Sequence, residues 1–148
     1  MKLQISSVEF DHNGKIPSKF TCDDQDVNPE LRISGIPADT KTLALVMDDP
    51  DAPVGVWDHW VMWNIKPTET IKENSVPEGA VQGRNGWGKN EYGGPCPPSG
   101  EHRYFFKVYA LGETLDISPS SDKKALEKAI KDKILAQGEL IGKYSRKR

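Results

Sequence analysis

Apolar residues along the chain gather into short runs separated by polar, Pro- and Gly-rich stretches, and only one segment repeats at helical spacing. Leu43-Ala44-Leu45-Val46-Met47 is a continuous apolar run of strand length, which predicts a strand buried on both faces. Trp60-Val61-Met62-Trp63-Asn64-Ile65 predicts another. Arg103 to Leu111 is the strongest strand signal, because its aromatic and β-branched residues suit a pleated surface. Alternation along it puts Tyr104, Phe106 and Val108 on one side. Leu3, Ile5 and Phe10 mark a first, partly alternating strand. A single helix is expected, with Ser121 or Asp122 as cap, Ala125, Leu126, Ala129, Ile130 and Ile134 as its apolar stripe, and Gly138 as its stop. Gly138 to Tyr144 adds a short final strand. Strands joined by turn-rich loops with one late helix predict a mainly β protein, an antiparallel β-sandwich rather than a βαβ fold.

Length fits this picture: 148 residues make one domain, 1–148, large enough to bury a core without metal or disulfide. Twenty Lys plus Arg against 22 Asp plus Glu leave a net charge of −2, which argues against a nucleic-acid-binding face. Lys143 to Arg148 is a basic end, read as a solvated tail. The N-terminal residues lack the apolar centre of a signal peptide, and no run is long enough to span a bilayer. A cytoplasmic protein without integral membrane association is therefore expected. In a reducing compartment the two cysteines, Cys22 and Cys96, are expected as free thiols.

Three loops combine stiff backbone with titratable side chains. Asp48-Asp49-Pro50-Asp51-Ala52-Pro53 follows the first buried run and crowds three carboxylates onto a loop stiffened by two prolines, with cis or trans peptides left open. Trp57-Asp58-His59-Trp60 leads into the second run; strict alternation would put Asp58 on the face of Trp60 and His59 on the other. Tyr92-Gly93-Gly94-Pro95-Cys96-Pro97-Pro98-Ser99-Gly100-Glu101-His102-Arg103-Tyr104 offers close-approaching backbone, with His102 and Tyr104 of equal parity at the mouth of the aromatic strand. Trp63, Trp87, Phe105 and Phe106 are expected as core or loop anchors.

Taken in order, Asp-Pro-Asp-Ala-Pro, Trp-x-His and Gly-Pro-x-Pro-Pro…His-Arg-Tyr resemble the phosphatidylethanolamine-binding protein family, which includes the Raf kinase inhibitor proteins. Phe20-Thr21-Cys22-Asp23 through Asp26, Pro29 and Leu31, with Gly83-Arg84-Asn85, is similar to the compact bacterial and archaeal branch. Asp24, Asn28, Asp58 and Cys96 depart from the family's pattern. The resemblance implies a Greek-key β-sandwich with a small pocket for phosphate-type anions, formed by Asp49, Asp51, Pro53, Trp57, His59, Gly94, Cys96, His102 and Tyr104. It implies no metal and no cofactor, and a non-catalytic binding or regulatory role whose partners are a small phosphorylated or anionic ligand, a kinase or protease target, and a second copy in a homodimer. In that pocket His59, His102, the Tyr104 hydroxyl and backbone N–H groups near Gly94 and Cys96 donate to phosphate oxygens. Asp49 or Asp51 holds a His, accepts from a protonated phosphate oxygen, or meets a ligand ammonium. The competing readings are a hydrolase using two His and two Asp as metal ligands, and one using Cys96 or Ser99 as nucleophile beside His102.

Overall fold

A computed structural model describes residues 2–146, so Met1 and the last two residues of the basic tail lie outside the described residues. The three apolar runs become the middle of one sheet: β4 (Thr42–Asp49), β5 (Trp57–Ile65) and β8 (His102–Leu111) lie side by side. The chain leaves β5 and later returns to pair β8 with β4, a Greek-key connection. β9 (Ile134–Tyr144) extends the sheet beyond β8. Short β2 (Gly14–Lys15) and β7 (Val81–Gln82) form its edges, in the order β2-β9-β8-β4-β5-β7. A second sheet, β1-β3-β6, is built from β1 (Gln4–Ser6), β3 (Leu31–Ser34) and β6 (Thr70–Ile71). Pairing within the two sheets is antiparallel except between β2 and β9.

Alternation divides the large sheet's side chains between two cores. Leu43, Leu45, Met47, Trp60, Met62, Tyr104, Phe106 and Val108 face the small sheet and meet Ile5, Leu31, Ile33 and Ile71. Ala44, Val46, Val61 and Trp63 face the other way, under Leu126 and Ile130 of helix α1 (Lys123–Ile130). β4 lies between these layers and is buried at all eight positions, as its unbroken apolar run predicts.

The ends of elements differ from expectation. Asp122 caps α1, its carboxylate accepting from the Ala125 amide at 3.0 Å, but the helix stops at Ile130 and Ile134 opens β9 instead of closing the helical stripe. β9 pairs along the whole of β8, and Ala136, Gly138, Leu140, Gly142 and Tyr144 form its inward row. Two glycines in that row erase the period-two signal. They are there because other chain segments cross closely: a Cβ on Gly138 would stand 2.1 Å from the Leu3 carbonyl oxygen, and one on Gly142 would stand 2.5 Å from Ile16. Gly138 is thus a strand residue at a close crossing, not a helix stop. The first strand covers only Gln4–Ser6, and Phe10 lies outside it while still reaching the core. There is no cis peptide bond among the described residues, so Pro50 and Pro53 are trans.

Gly138→Ala should therefore destabilise the fold by about 1–3 kcal/mol through overpacking against backbone that cannot yield. Gly112→Ala is the control, since its Cβ would meet only Leu135 side-chain atoms at 3.7 Å or more. Urea unfolding showing equal midpoints for the two variants would contradict this account of β9.

Candidate functional site

β4 ends where β5 and β8 begin, with Asp49 paired to Trp57 and Asp48 to Phe105. A β-bulge at this edge decides where the side chains go. Met47 pairs with Trp60 but Asp48 pairs with Asp58, which leaves His59 as the extra residue. The alternation slips by one there. Asp58 turns under α1, 3.0 Å from Lys123 Nζ, instead of sharing the face of Trp60 as strict alternation requires. His59 is released toward Tyr104, with ring centroids 5.2 Å apart.

The result is a cavity of about 210 Å³ lined by Asp49, Ala52, Pro53, Val54, Trp57, His59, Trp87, Cys96, Pro97, Pro98, His102 and Tyr104. Of the nine residues singled out from the sequence, Asp49, Pro53, Trp57, His59, Cys96, His102 and Tyr104 meet here. Asp51 and Gly94 are not among the lining residues. The Asp51 carboxylate accepts from the Arg103 amide, Nε and Nη2, each at 2.9 Å, and the guanidinium holds its carboxyl down at about 2. The Gly94 amide is taken by Asp26 Oδ1 at 2.8 Å, so it is no free donor for a ligand.

The polar groups that do face the cavity are fixed from behind. His102 Nδ1 donates to Asp49 Oδ2 at 2.7 Å, and Asp49 Oδ1 accepts from the Asp51 amide at 2.7 Å. Each oxygen of this buried carboxylate thus accepts one hydrogen bond, and one of them holds the His102 ring. His59 Nδ1 donates to the Gly93 carbonyl at 2.7 Å, and the Gly93 amide donates back to the His59 carbonyl at 3.0 Å. Burial lowers the His59 pKa, against the pull of the Gly93 and Gly94 backbone and of Asp49 and Asp48. Burial raises that of Tyr104, so its hydroxyl keeps its proton, with the nearby Cys96 backbone opposing the shift. The Tyr104 Oη is buried and makes no hydrogen bond with the described residues.

Trp87, expected as an anchor, is also a lining residue, and its indole stands edge-on to both Trp57 and His59. The signal for it was the surrounding glycines. A Cβ on Gly86 would lie 2.4 Å from the Trp57 ring, and one on Gly93 would lie 2.3 Å from the Trp87 ring, so glycine makes the seats for both indoles. Ala52 and Val54 carry no sequence signal beyond their place in the proline-stiffened loop.

Cys22 and Cys96 form a disulfide with Cα atoms 5.5 Å apart, overturning the expectation of two free thiols. Compartment reasoning could not see the geometry: Tyr92 Oη donates to the Phe20 carbonyl at 2.7 Å and the Cys22 amide to the Pro95 carbonyl at 3.1 Å, which lays the two loops together. The bridge removes Cys96 as a nucleophile, and Ser99 is exposed and outside the lining set. The metal-ligand reading also loses its set of two His and two Asp, because Asp51 is bound to Arg103; no cluster suited to a metal ion occurs among the described residues.

The fold places the chain with small two-sheet proteins already seen in crystals. A homologue of phosphatidylethanolamine-binding protein from Chlamydia trachomatis superposes with a TM-score of 0.95 at 35% identity, covering 99% of each chain. The E. coli protein YbcL, described as a member of the mammalian PEBP family, gives 0.91 at 30% identity over 99% of this chain and all of its own. A UPF0098 protein of Pyrococcus horikoshii is 46% identical across 99% of this chain and 78% of its own length. The family profile of phosphatidylethanolamine-binding protein matches residues 6–145, and the chain belongs to that family.

The disulfide closes a 74-residue separation, for which chain entropy predicts a contribution of roughly 4 kcal/mol, less any native strain. Cys22→Ala with Cys96→Ala should therefore melt roughly 5–15 °C lower than the parent. Thiol titration of unreduced, denatured protein should find none; two titratable thiols would show that the bridge does not form.

Proposed function

We propose that the cavity binds a small phosphate-type group and performs no chemistry on it, the chain acting as a binding or regulatory module. The observation that carries this reading is convergence. The buried Tyr104 hydroxyl, which lacks a partner among the described residues, and the two histidines braced by Gly93 and Asp49 line one cavity. Its volume lies below the roughly 300–1,000 Å³ of drug-sized sites, which favours a head group over an extended ligand. The same lining supplies no hydroxyl or thiol nucleophile beyond the Tyr104 phenol, whose pKa burial raises. Exposed Val54 and Trp87 at the rim are the surface on which a protein target such as a kinase or protease would rest, with the cavity holding its anionic group.

The pH dependence has a definite sign. An anion favours protonated forms around it, so binding takes up a proton, and affinity is greatest below the free-site histidine pKa and falls as pH rises. For His59 that loss begins below the ordinary value near 6.5, because burial lowers its pKa. Calorimetry with phosphoethanolamine should give affinity about fivefold or more higher at pH 6 than at pH 8. His102→Ala should bind far more weakly. Affinity that rises from pH 6 to pH 8, or an unaffected His102→Ala, would overturn the reading.

A further inference from the structure

The donors and acceptors of the cavity say more than its size. Nδ1 of His59 faces a carbonyl oxygen and Nδ1 of His102 faces a carboxylate oxygen, so each of these nitrogens carries the hydrogen. In the neutral rings Nε2 is then an acceptor. Each Asp49 oxygen already accepts one hydrogen bond, and the Trp57 indole N–H is buried with no partner among the described residues. Tyr104 Oη is left as the unpaired hydroxyl donor, and no Lys or Arg is among the lining residues. The cavity thus offers a ligand two imidazole lone pairs beside the Tyr104 and Trp57 hydrogens, so a ligand that only accepts leaves an imidazole unmatched.

Resting on the anion reading above, we infer that the cavity selects an oxyanion that still carries a proton, a phosphomonoester monoanion or dihydrogen phosphate, over sulfate and over phosphodiesters. The ligand P–OH donates to His59 Nε2 while an unprotonated oxygen accepts from Tyr104 Oη. Sulfate at neutral pH and a phosphodiester bring acceptors only, so a lone pair would face the His59 lone pair in a buried place. The ring can avoid this only by taking a proton itself. Asp48 and Asp49 of β4 favour that uptake; desolvation among Trp87 and the neutral Tyr104 phenol of β8, with His102 beyond it, opposes it. The charge balance points the same way. Asp49 is the one carboxylate at the cavity and has no lining cation against it, so a monoanion is accommodated more readily than a dianion.

Transfer of the proton from phosphate to His59 leaves the total proton count unchanged, so the identity of the anion tests the inference better than pH alone. Calorimetry near pH 6.5 with the oxidised protein compares inorganic phosphate with isosteric sulfate, and methyl phosphate with dimethyl phosphate. The proton-bearing member of each pair should bind at least about tenfold tighter, the cost of one unpaired buried acceptor. In His59→Gln, whose amide can donate, the gap should close to about twofold. Tyr104→Phe should weaken all four ligands and leave the gap unchanged. Equal binding of sulfate and phosphate to the parent protein overturns the inference while leaving the anion pocket standing. A gap that persists in His59→Gln overturns the role of His59, and no binding by any of the four overturns both readings.

Discussion

One closed circuit of charge holds the functional edge of the molecule. Asp49 and Asp51 stand two residues apart on one side, and the adjacent His102 and Arg103 stand on the other. Asp49 takes the His102 ring, Asp51 takes the Arg103 guanidinium and amide, and the Asp51 amide returns to Asp49. The alternation of β8 sends His102 inward and Arg103 outward, and the turn after β4 supplies a carboxylate to each. Loss of one member of the buried Asp49–His102 pair would leave the other without its hydrogen-bond partner, at a cost of about 1–3 kcal/mol. The exposed Asp51–Arg103 half contributes less energy but sets the path of the 50–56 loop that carries Pro53 and Val54 to the rim.

Everything else at the cavity is placed relative to that circuit. The bulge in β5 turns His59 toward it, and the Gly93 backbone clamps the freed imidazole from behind. The disulfide and the Tyr92–Phe20 hydrogen bond hold the proline-rich loop against the turn at residues 18–22, so Cys96 and Pro97 form a fixed wall. Two sheets and a helix thus serve as a rigid mount, and the polar atoms at the cavity are preorganised rather than gathered on binding.

What was legible in the sequence follows from how local each signal is. The long apolar strands, the two-faced burial of β4 and the parity of Tyr104, Phe106 and Val108 depend on alternation alone, and these held. Alternation failed at His59, because a bulge is a property of two paired strands and neither strand shows it separately. It also failed at β9, where Gly138 and Gly142 answer to Leu3 and Ile16, far away in sequence. The disulfide was hidden for the same reason: it joins positions that meet only after the rim loop folds onto the N-terminal turn. Seven of the nine site residues converge because each sits at the start or end of a strand or on a proline-fixed loop beside one. Asp51 and Gly94 sit in the same motifs, yet nothing in a motif tells that Arg103 and Asp26 would claim them first.

The same reasoning explains why the cavity lining holds no lysine or arginine. Four of the lysines and arginines around this edge have carboxylates of their own. Arg103 is tied to Asp51; Lys107 and Lys123 converge on Asp48 on the helix side of the sheet, with Lys123 also reaching Asp58; Arg146 is held by Asp23. Strand alternation sends Lys107 to the face opposite Tyr104, so its charge does not enter the cavity directly. What remains inside is a phenol, two imidazoles and one engaged carboxylate, groups whose hydrogen-bonding roles change with a single proton. The hydrogen-bonding character of the cavity is therefore set by where protons sit rather than by a fixed positive charge, because Arg103, Lys107 and Lys123 are paired outside it.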